Sequence, residues 1–326
     1  RNEMNKRPLI LMVIIILVVA GCAWKLDASE KSTAERPTQL ATPVSKITIY
    51  APASTSSIPV ILAVKKIEGA NLTLFTNHAQ ANALFLRGDV DLLITGISVG
   101  VDMRSKEAPV QLVNSYVSGL SYLLTYDRKV NQWVDLKGQA IYLPFQGSPL
   151  EEVTAHLVKA EGLEWPGDFQ PVYSPFESSI ELLKQGKASA VALPEPYVSL
   201  LENQPHIFIS ISYFDAWQKI HPEDHGYPQV GTLVKADWAQ SHPDEITQFN
   251  EALVEAVKLV ESDPAGALDA VRGYYSLPED VLSRSLKRTQ YSFVSGEALK
   301  DVVTRYYAQV EKPLHEDSFF YYTSGQ

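Results

Sequence analysis

Hydrophobic positions along the chain fall into two alternating patterns. Short solid apolar runs predict buried strands, and stretches with apolar residues three and four positions apart predict amphipathic helices. Residues 46–50 open the series as a strand, followed by a Ser/Thr loop. Ile58, Ile61, Leu62 and Val64 then carry helical spacing, with Ser57 at the N-cap and Pro59 in the first turn. The same reading predicts a strand over 72–75, a helix over 79–86 stopped by Gly88, and a strand over 92–95. A second series repeats it: a strand at 140–143, a helix face of Leu150, Val153, Leu157 and Val158, a strand at 172–173, a helix over 179–184 and a strand at 190–193. Gly88 and Gly186 each end a helix shortly before a buried strand, so the two series have similar local architecture. Two copies imply two lobes rather than a solenoid.

Between the series, 110–116 and 120–126 read as strands flanking Ser118-Gly119. Segments passing from one lobe to the other are expected there and near 207–213. Residues 229–235 form one more strand, and helices follow over 243–262, 265–275, 278–289 and 295–310. Ile246, Phe249, Leu253, Val257 and Val260 keep close to helical period. Strands alternating with helices imply an α/β fold with parallel sheets.

The chain begins differently. Lys6 and Arg7 precede an unbroken apolar run over 9–20 that ends at Gly21-Cys22, the layout of an export signal. At about 12 residues the run is too short to span a bilayer, which needs about 20. Arg1, Asn2 and Glu3 precede Met4, ahead of the basic start of that signal. Val19-Ala20-Gly21-Cys22 resembles a bacterial lipobox, in which the cysteine becomes the new N-terminus and carries lipid. Cys22 is the sole cysteine, so an internal disulfide is excluded and lipidation accounts for its place. The plain alternatives are a buried cysteine or an uncleaved anchor. Residues 23–44 are polar and rich in small residues, a composition that makes a tether rather than a core. The expected organisation is a signal peptide at 1–21, a lipid-anchored tether at 22–44, a first lobe from 45–118 and 214–326, and a second lobe from 119–213.

Composition narrows the function. Hydrophobic residues make up 45% and charged residues 20%, as in an ordinary globular domain. A net charge of −10 argues against nucleic acid as a partner. No second apolar run reaches spanning length, which places the mature chain on a membrane rather than in it.

In open α/β sheets ligands bind beyond the carboxyl ends of the strands. The loops at those ends are Ser54-Thr55-Ser56-Ser57, Gly96-Ile97-Ser98, Phe145-Gln146-Gly147-Ser148 and Glu195-Pro196-Tyr197. N–H groups at helix starts joined by hydroxyls suit an oxyanion, although each Ser or Thr alone reads as a helix cap. Glu195 points instead to a donor such as an amine or aminopyrimidine, with Tyr197 stacking on a ring; its plain alternative is pairing with a helix dipole. Tyr116, Phe145, Tyr173 and Phe176 either line a pocket or pack in the core. No arginine lies in these loops to clamp an oxyanion, so the two ligand classes stay open. His221 and His225 are four apart, but Pro222 and Gly226 argue against a helix there, and no metal site is assigned. Neither a Gly-x-Ser-x-Gly elbow nor a phosphate-binding glycine loop is present, so no enzyme and no cofactor are expected.

Several segments in order carry a resemblance. They are Gly88-Asp89-Val90-Asp91 before a strand, Gly96-Ile97-Ser98, Asp135-Leu136-Lys137-Gly138 before a strand with Gly147-Ser148 after it, Leu193-Pro194-Glu195-Pro196-Tyr197, and Val234-Lys235-Ala236-Asp237-Trp238 followed by His242-Pro243-Asp244. Together with the lipobox they resemble the periplasmic substrate-binding lipoproteins of ABC transporters, of the nitrate/sulfonate/taurine and thiamine-precursor type, over about 47–310. The resemblance implies the type 2 periplasmic binding protein fold: two α/β lobes, each a mostly parallel sheet flanked by helices, joined by two crossover strands with the ligand in the cleft. Many members of that family place an acidic residue at the position of Glu195. It also implies an ABC permease and its ATPase as partners, an extracytoplasmic location on the cell membrane, and a monomer. A sensor or adaptor domain that transports nothing is the alternative. An enzymatic cousin of this fold, the fungal-type pyrimidine synthase, depends on a Cys-rich motif that this chain lacks.

Overall fold

The computed structural model describes residues 46–315 and 318–322. The expected signal peptide, Cys22 and the tether lie outside the described residues.

In the first sheet, β1 (Ile47–Pro52) pairs in parallel with β2 (Ala70–Phe75) and β3 (Leu92–Gly96). The connections are α1 (Ile58–Val64), with proline in its first turn, and α2 (His78–Arg87). Asn77 caps α2 by accepting from Gln80 N at 2.9 Å, and Gly88 ends it with φ 95°, a conformation glycine adopts without a Cβ clash. After α3 (Ile97–Ser105), β4 (Val110–Gly119) runs back through the sheet.

The second sheet takes β5 (Ser121–Tyr126), β6 (Ala140–Leu143), β7 (Gln170–Tyr173), β8 (Ala190–Pro194) and β9 (Ile207–Ser212). Between them lie α4 (Pro149–Ala160), α5 (Phe176–Lys184) and α6 (Tyr197–Leu201). After α7 (Tyr213–Ile220) the chain returns to the first sheet as β10 (Val230–Lys235). Then come α8 (Ala236–Ser241), α9 (Pro243–Ser262), α10 (Pro264–Val271), a 3-10 turn at Arg272–Tyr274, α11 (Glu279–Arg288), β11 (Gln290–Ser295) and α12 (Gly296–Gln309).

The strand orders are β11-β4-β10-β3-β1-β2 and β7-β6-β8-β5-β9. Both sheets are mixed, where mostly parallel sheets were expected. β1, β2 and β3 are parallel, as are β6, β7 and β8, but β10 is antiparallel to β3 and β4, and β5 to β8 and β9. Strands that return without a crossover helix enter with the opposite sense.

The second crossing also differs from the expectation. β9 pairs with β5 inside the second sheet, so the chain crosses back at residues 221–229 rather than 207–213. The two crossings run side by side: Tyr227 N donates to Ser118 O at 3.1 Å and Gln229 N to Val117 O at 3.0 Å. Gly226 permits this approach. Its φ is +71°, and a Cβ there would stand 2.2 Å from Ser118 O.

The predicted face of α9 is buried throughout, against Ile49, Ile58, Ile61 and Leu92. Burying one such side chain contributes about 1.5–3 kcal/mol. Ile141, Leu143, Val153, Leu157 and Trp133 play the same part on one face of the second sheet. α3 was expected only as a loop. Its buried positions include Gly100, packed against Leu233, and a glycine in the apolar face hides the helical period.

Candidate functional site

The loop after β1 is held by three tyrosines. Tyr275, Tyr291 and Tyr116 donate their hydroxyls to the successive carbonyls of Ser54, Thr55 and Ser56, at 2.8, 2.7 and 2.8 Å. Thr55, Ser56 and Ser57 are buried, and their side chains are also paired. Ser54 Oγ and Ser56 Oγ are 2.6 Å apart, Ser57 donates to Pro52 O, and Thr55 Oγ1 meets Ser285 Oγ at 2.9 Å and Thr289 Oγ1 at 3.1 Å. A polar loop this deep is tolerated because its groups find partners. Desolvation keeps all three tyrosines protonated, with pKa values above the ordinary phenol value.

The loop after β8 meets the same cluster from the second sheet. Glu195 is fully buried, accepting from Ser199 N at 3.2 Å and Ser199 Oγ at 2.9 Å. Burial pushes its carboxyl up, opposed by the Ser199 bonds, by Arg288 and by Ser285. Ser285, which donates to Thr55, therefore lies beside Glu195. Arg288 Nη1 donates to Ser199 Oγ at 2.9 Å, and its guanidinium also pairs with Glu202. Arg284 Nε lies 2.6 Å from Glu202 Oε2, and Tyr122 donates to Arg288 O at 2.9 Å. These bonds tie α11, beside the first sheet, to α6 and β5 of the second.

The other two loops face each other at the crossings. A Cβ at Gly96 would stand 3.7 Å from Pro149 Cγ, so the start of α3 meets the start of α4. Ile97 N donates to Gln229 O at 3.0 Å, Leu120 N to Gln229 Oε1 at 3.3 Å, and Glu195 N to Leu120 O at 2.8 Å. All four strand-end loops therefore gather around the paired crossings. Within this cluster Ser98 Oγ is buried and has no partner among the described residues.

Not every expected residue turns toward this centre. Ser148 caps α4 by accepting from Glu151 N at 3.2 Å, the role a lone serine predicts. Gln146 and Gly147 are exposed, and Gly147 N donates to the Glu151 carboxylate. Tyr197 reaches α5, donating to Glu177 at 3.0 Å with its ring 5.4 Å from Phe176; burial first and then Glu177 push its hydroxyl up to about 12. Tyr116 acts by pinning the Ser56 carbonyl. Phe145 is exposed, and Tyr173 donates to Glu151 at 2.6 Å.

Sequence reasoning missed Arg284, Arg288, Ser285, Tyr275 and Tyr291. Arg284 and Arg288 stand four apart on α11, a spacing that reads as a solvated helix face because their partners come from a distant segment. Away from the cluster, His221, Glu223 and Asp224 offer ligand atoms within 4.8 Å of one another. Asp224 is already committed: it accepts from Trp217 Nε1 at 3.3 Å and Gln309 Nε2 at 3.2 Å and pairs with Arg305 at 2.9 Å. No metal is assigned there.

Solved structures share this architecture. The aliphatic sulphonate binding protein SsuA from Escherichia coli aligns with a TM-score of 0.69 at 18% identity, over 87% of this chain and 94% of that one. A ligand binding component of an ABC-type import system from Staphylococcus aureus, with zinc bound, aligns with a TM-score of 0.68 at 14% identity, over 84% and 96%. The nitrate-binding protein NrtA from Synechocystis PCC 6803 gives 0.61 at 17%, over 74% and 70%. At these identities the likeness is one of fold, the two-lobed periplasmic binding protein architecture. No curated protein matches the chain. The family described as NMT1/THI5 like matches residues 66–267, more than half of the 326 residues. The chain belongs to the NMT1/THI5-like family.

Proposed function

We propose that this chain is the extracytoplasmic solute-binding component of an ABC importer. It captures a small organic or oxyanion ligand between its lobes and delivers it to the permease, which a cytoplasmic ATPase drives. The observation that carries the reading is the meeting of strand-end loops from both sheets around the paired crossings, with Gly96 against Pro149 and Ser285 set between Thr55 and Glu195. The names of the fold neighbours support it: they are sulphonate- and nitrate-binding proteins and a component of an import system.

Of the expected ligand residues, the proposed set keeps Ser54, Thr55, Ser56, Ser57, Gly96, Ser98 and Glu195, with Tyr116 holding the Ser56 carbonyl; Gln146, Gly147, Ser148 and Tyr197 are left to capping and to α5. With the second crossing at 221–229, the lobes divide as 45–118 with 230–326, and 119–220, and move about the crossings as hinge proteins do. Closure around a ligand shifts the population toward the form a permease recognises. The chain works as a monomer held to the membrane by lipid on Cys22. Among the described residues no helix is long and apolar enough to cross a membrane.

A thermal-shift screen against sulfonates, inorganic oxyanions, pyrimidines and amines tests the function. A binder raises the melting temperature by mass action, by about 2.7 kcal/mol of stabilisation at a hundred times its Kd. A hit among sulfonates or oxyanions assigns an anion to the hydroxyl loops, and a hit among pyrimidines or amines assigns a donor to Glu195. Silence across all four classes overturns solute capture and moves the reading to a sensor or adaptor.

A further inference from the structure

The second crossing carries a pair of imidazoles whose protonation is dictated by their neighbours. His156 on α4 and His221 just after α7 place their Nε2 atoms 2.8 Å apart. At that distance one nitrogen donates a proton and the other offers a lone pair. Asp224 decides which. Its carboxylate accepts only, so the Gln309 side-chain nitrogen 3.2 Å from Asp224 Oδ2 is correctly placed as a donor. The same nitrogen lies 3.2 Å from His221 Nδ1, which must therefore be the acceptor. His221 then carries its hydrogen on Nε2 and donates it to His156. His156 keeps a bare Nε2 and has its hydrogen on Nδ1. Each ring then carries a single hydrogen, and the Gln309 side chain fixes His221 directly and His156 through it.

These residues join parts that belong to different sheets. His156 rides on α4 beside the second sheet, Gln309 ends α12 beside the first, and His221 and Asp224 flank the start of the crossing between them. Trp217 packs against both imidazoles, with ring centroids 4.8 Å from His156 and 4.7 Å from His221. A proton added to His156 Nε2 would confront the N–H of His221. A proton added to His221 Nδ1 would confront the amide N–H of Gln309. Either one removes a hydrogen bond and buries a charge in its place.

We propose that the His156–His221 pair is a proton-operated clamp on the second crossing, tying α4 to α12 while both rings are neutral and releasing them when a proton is taken up.

Charged groups face the pair from α4, from α12 and from the crossing. On α4, Lys159 opposes protonation of His156, and Glu152 is engaged by Tyr306 at 2.6 Å. Beyond α12, Glu311 favours protonation and is itself paired with Lys159. Lys312 lies near Glu152, and Arg305 on α12 is paired with Asp224. On the crossing, Glu223 Oε1 lies 3.8 Å from His221 Nδ1 and is exposed. Burial, and then the neighbouring His221, lower the His156 pKa below its ordinary 6.5. A lowered value means the clamp is fully present above 6.5 and is lost as pH falls from 6.5 through the lowered value.

Amide hydrogen exchange on the full chain, corrected for the intrinsic rate at each pH, tests the clamp. Opening of α4 and α12 should rise about tenfold per pH unit on falling below 6.5, then level off once His156 is protonated in both forms. His156→Gln and His221→Gln should each abolish this dependence while circular dichroism stays unchanged. A flat response in the parent chain, or the same slope in both variants, overturns the proposal. Should a variant misfold, imidazole nitrogen NMR of the parent chain decides. Hydrogen on His156 Nδ1 and His221 Nε2 near pH 7.5 supports the clamp. Protonated rings with α4 and α12 still protected from exchange overturn it.

Discussion

Arg288 Nη1 lies 3.8 Å from Glu195 Oε1, although Arg288 ends α11 beside the first sheet and Glu195 follows β8 of the second. The carboxylate is fully buried and the guanidinium is mostly covered. Removing the cation leaves a buried acid held, among the described residues, by its two bonds from Ser199. Arg288→Met should therefore destabilise the chain by about 1–3 kcal/mol, less than a fully enclosed pair, because Glu195 can take up a proton instead. Urea unfolding at neutral pH measures this. Glu195→Gln keeps an acceptor for Ser199 and should cost less than Arg288→Met; the reverse order would show that the pair is not what joins the lobes here.

Ser98 separates stability from binding. Its hydroxyl is buried without a partner among the described residues, so Ser98→Ala should leave the melting temperature unchanged or slightly raised. Under the proposed function the same change weakens ligand binding by about 1 kcal/mol, a fivefold rise in Kd, because the free hydroxyl awaits the ligand. Titration calorimetry with the ligand from the screen checks both halves. Unchanged affinity would remove Ser98 from the site.

Gly226 is where the crossings need a glycine. A Cβ would meet Ser118 O at 2.2 Å and Phe214 at 2.7 Å, and the positive φ adds strain. Gly226→Ala should cost at least about 2 kcal/mol, seen as a lowered urea midpoint. A midpoint equal to the parent's would mean that the crossings do not hold this spacing in solution.

Glu152 gives a pH dependence opposite in sign to that of His156. Burial raises its pKa, against the Tyr306 hydrogen bond and Lys312, which lower it. A raised carboxyl favours the folded state below its ordinary value of 4.5 and loses that advantage as pH rises through the folded value. Glu152→Gln still accepts from Tyr306 but has no charge to desolvate. The variant should be more stable than the parent near pH 8 by about 1 kcal/mol, with the difference shrinking toward acid. Thermal melts across pH check it, and a variant less stable than its parent at alkaline pH would show the carboxylate to be well paired.

Much of the fold is legible because burial writes itself locally. The 92–95 and 190–193 runs are covered on both faces and read as solid apolar strands, and α9 shows a clean helical period because one face meets the first sheet. α3 and α7 are not legible in the same way. Gly100 packs in the apolar face of α3, and Tyr213 with Trp217 prolong a run that looks like the end of β9. The site divides along the same line. Ser54 to Ser57, Ser98 and Glu195 follow from their places after strands. Arg288, Ser285 and the tyrosines of the Ser54–Ser56 clamp follow no local rule, since each acts on a partner far along the chain.

What the sequence by itself determined is the order of elements, the faces they bury and the loops at strand ends, because helical and strand periods are properties of neighbouring residues. Only the tertiary structure decided which strands run antiparallel, where the chain crosses back, and which hydroxyls and charges meet around Leu120 and Gln229. Those depend on contacts between segments remote in sequence, and a buried polar group takes whichever partner the folded chain brings within hydrogen-bond reach.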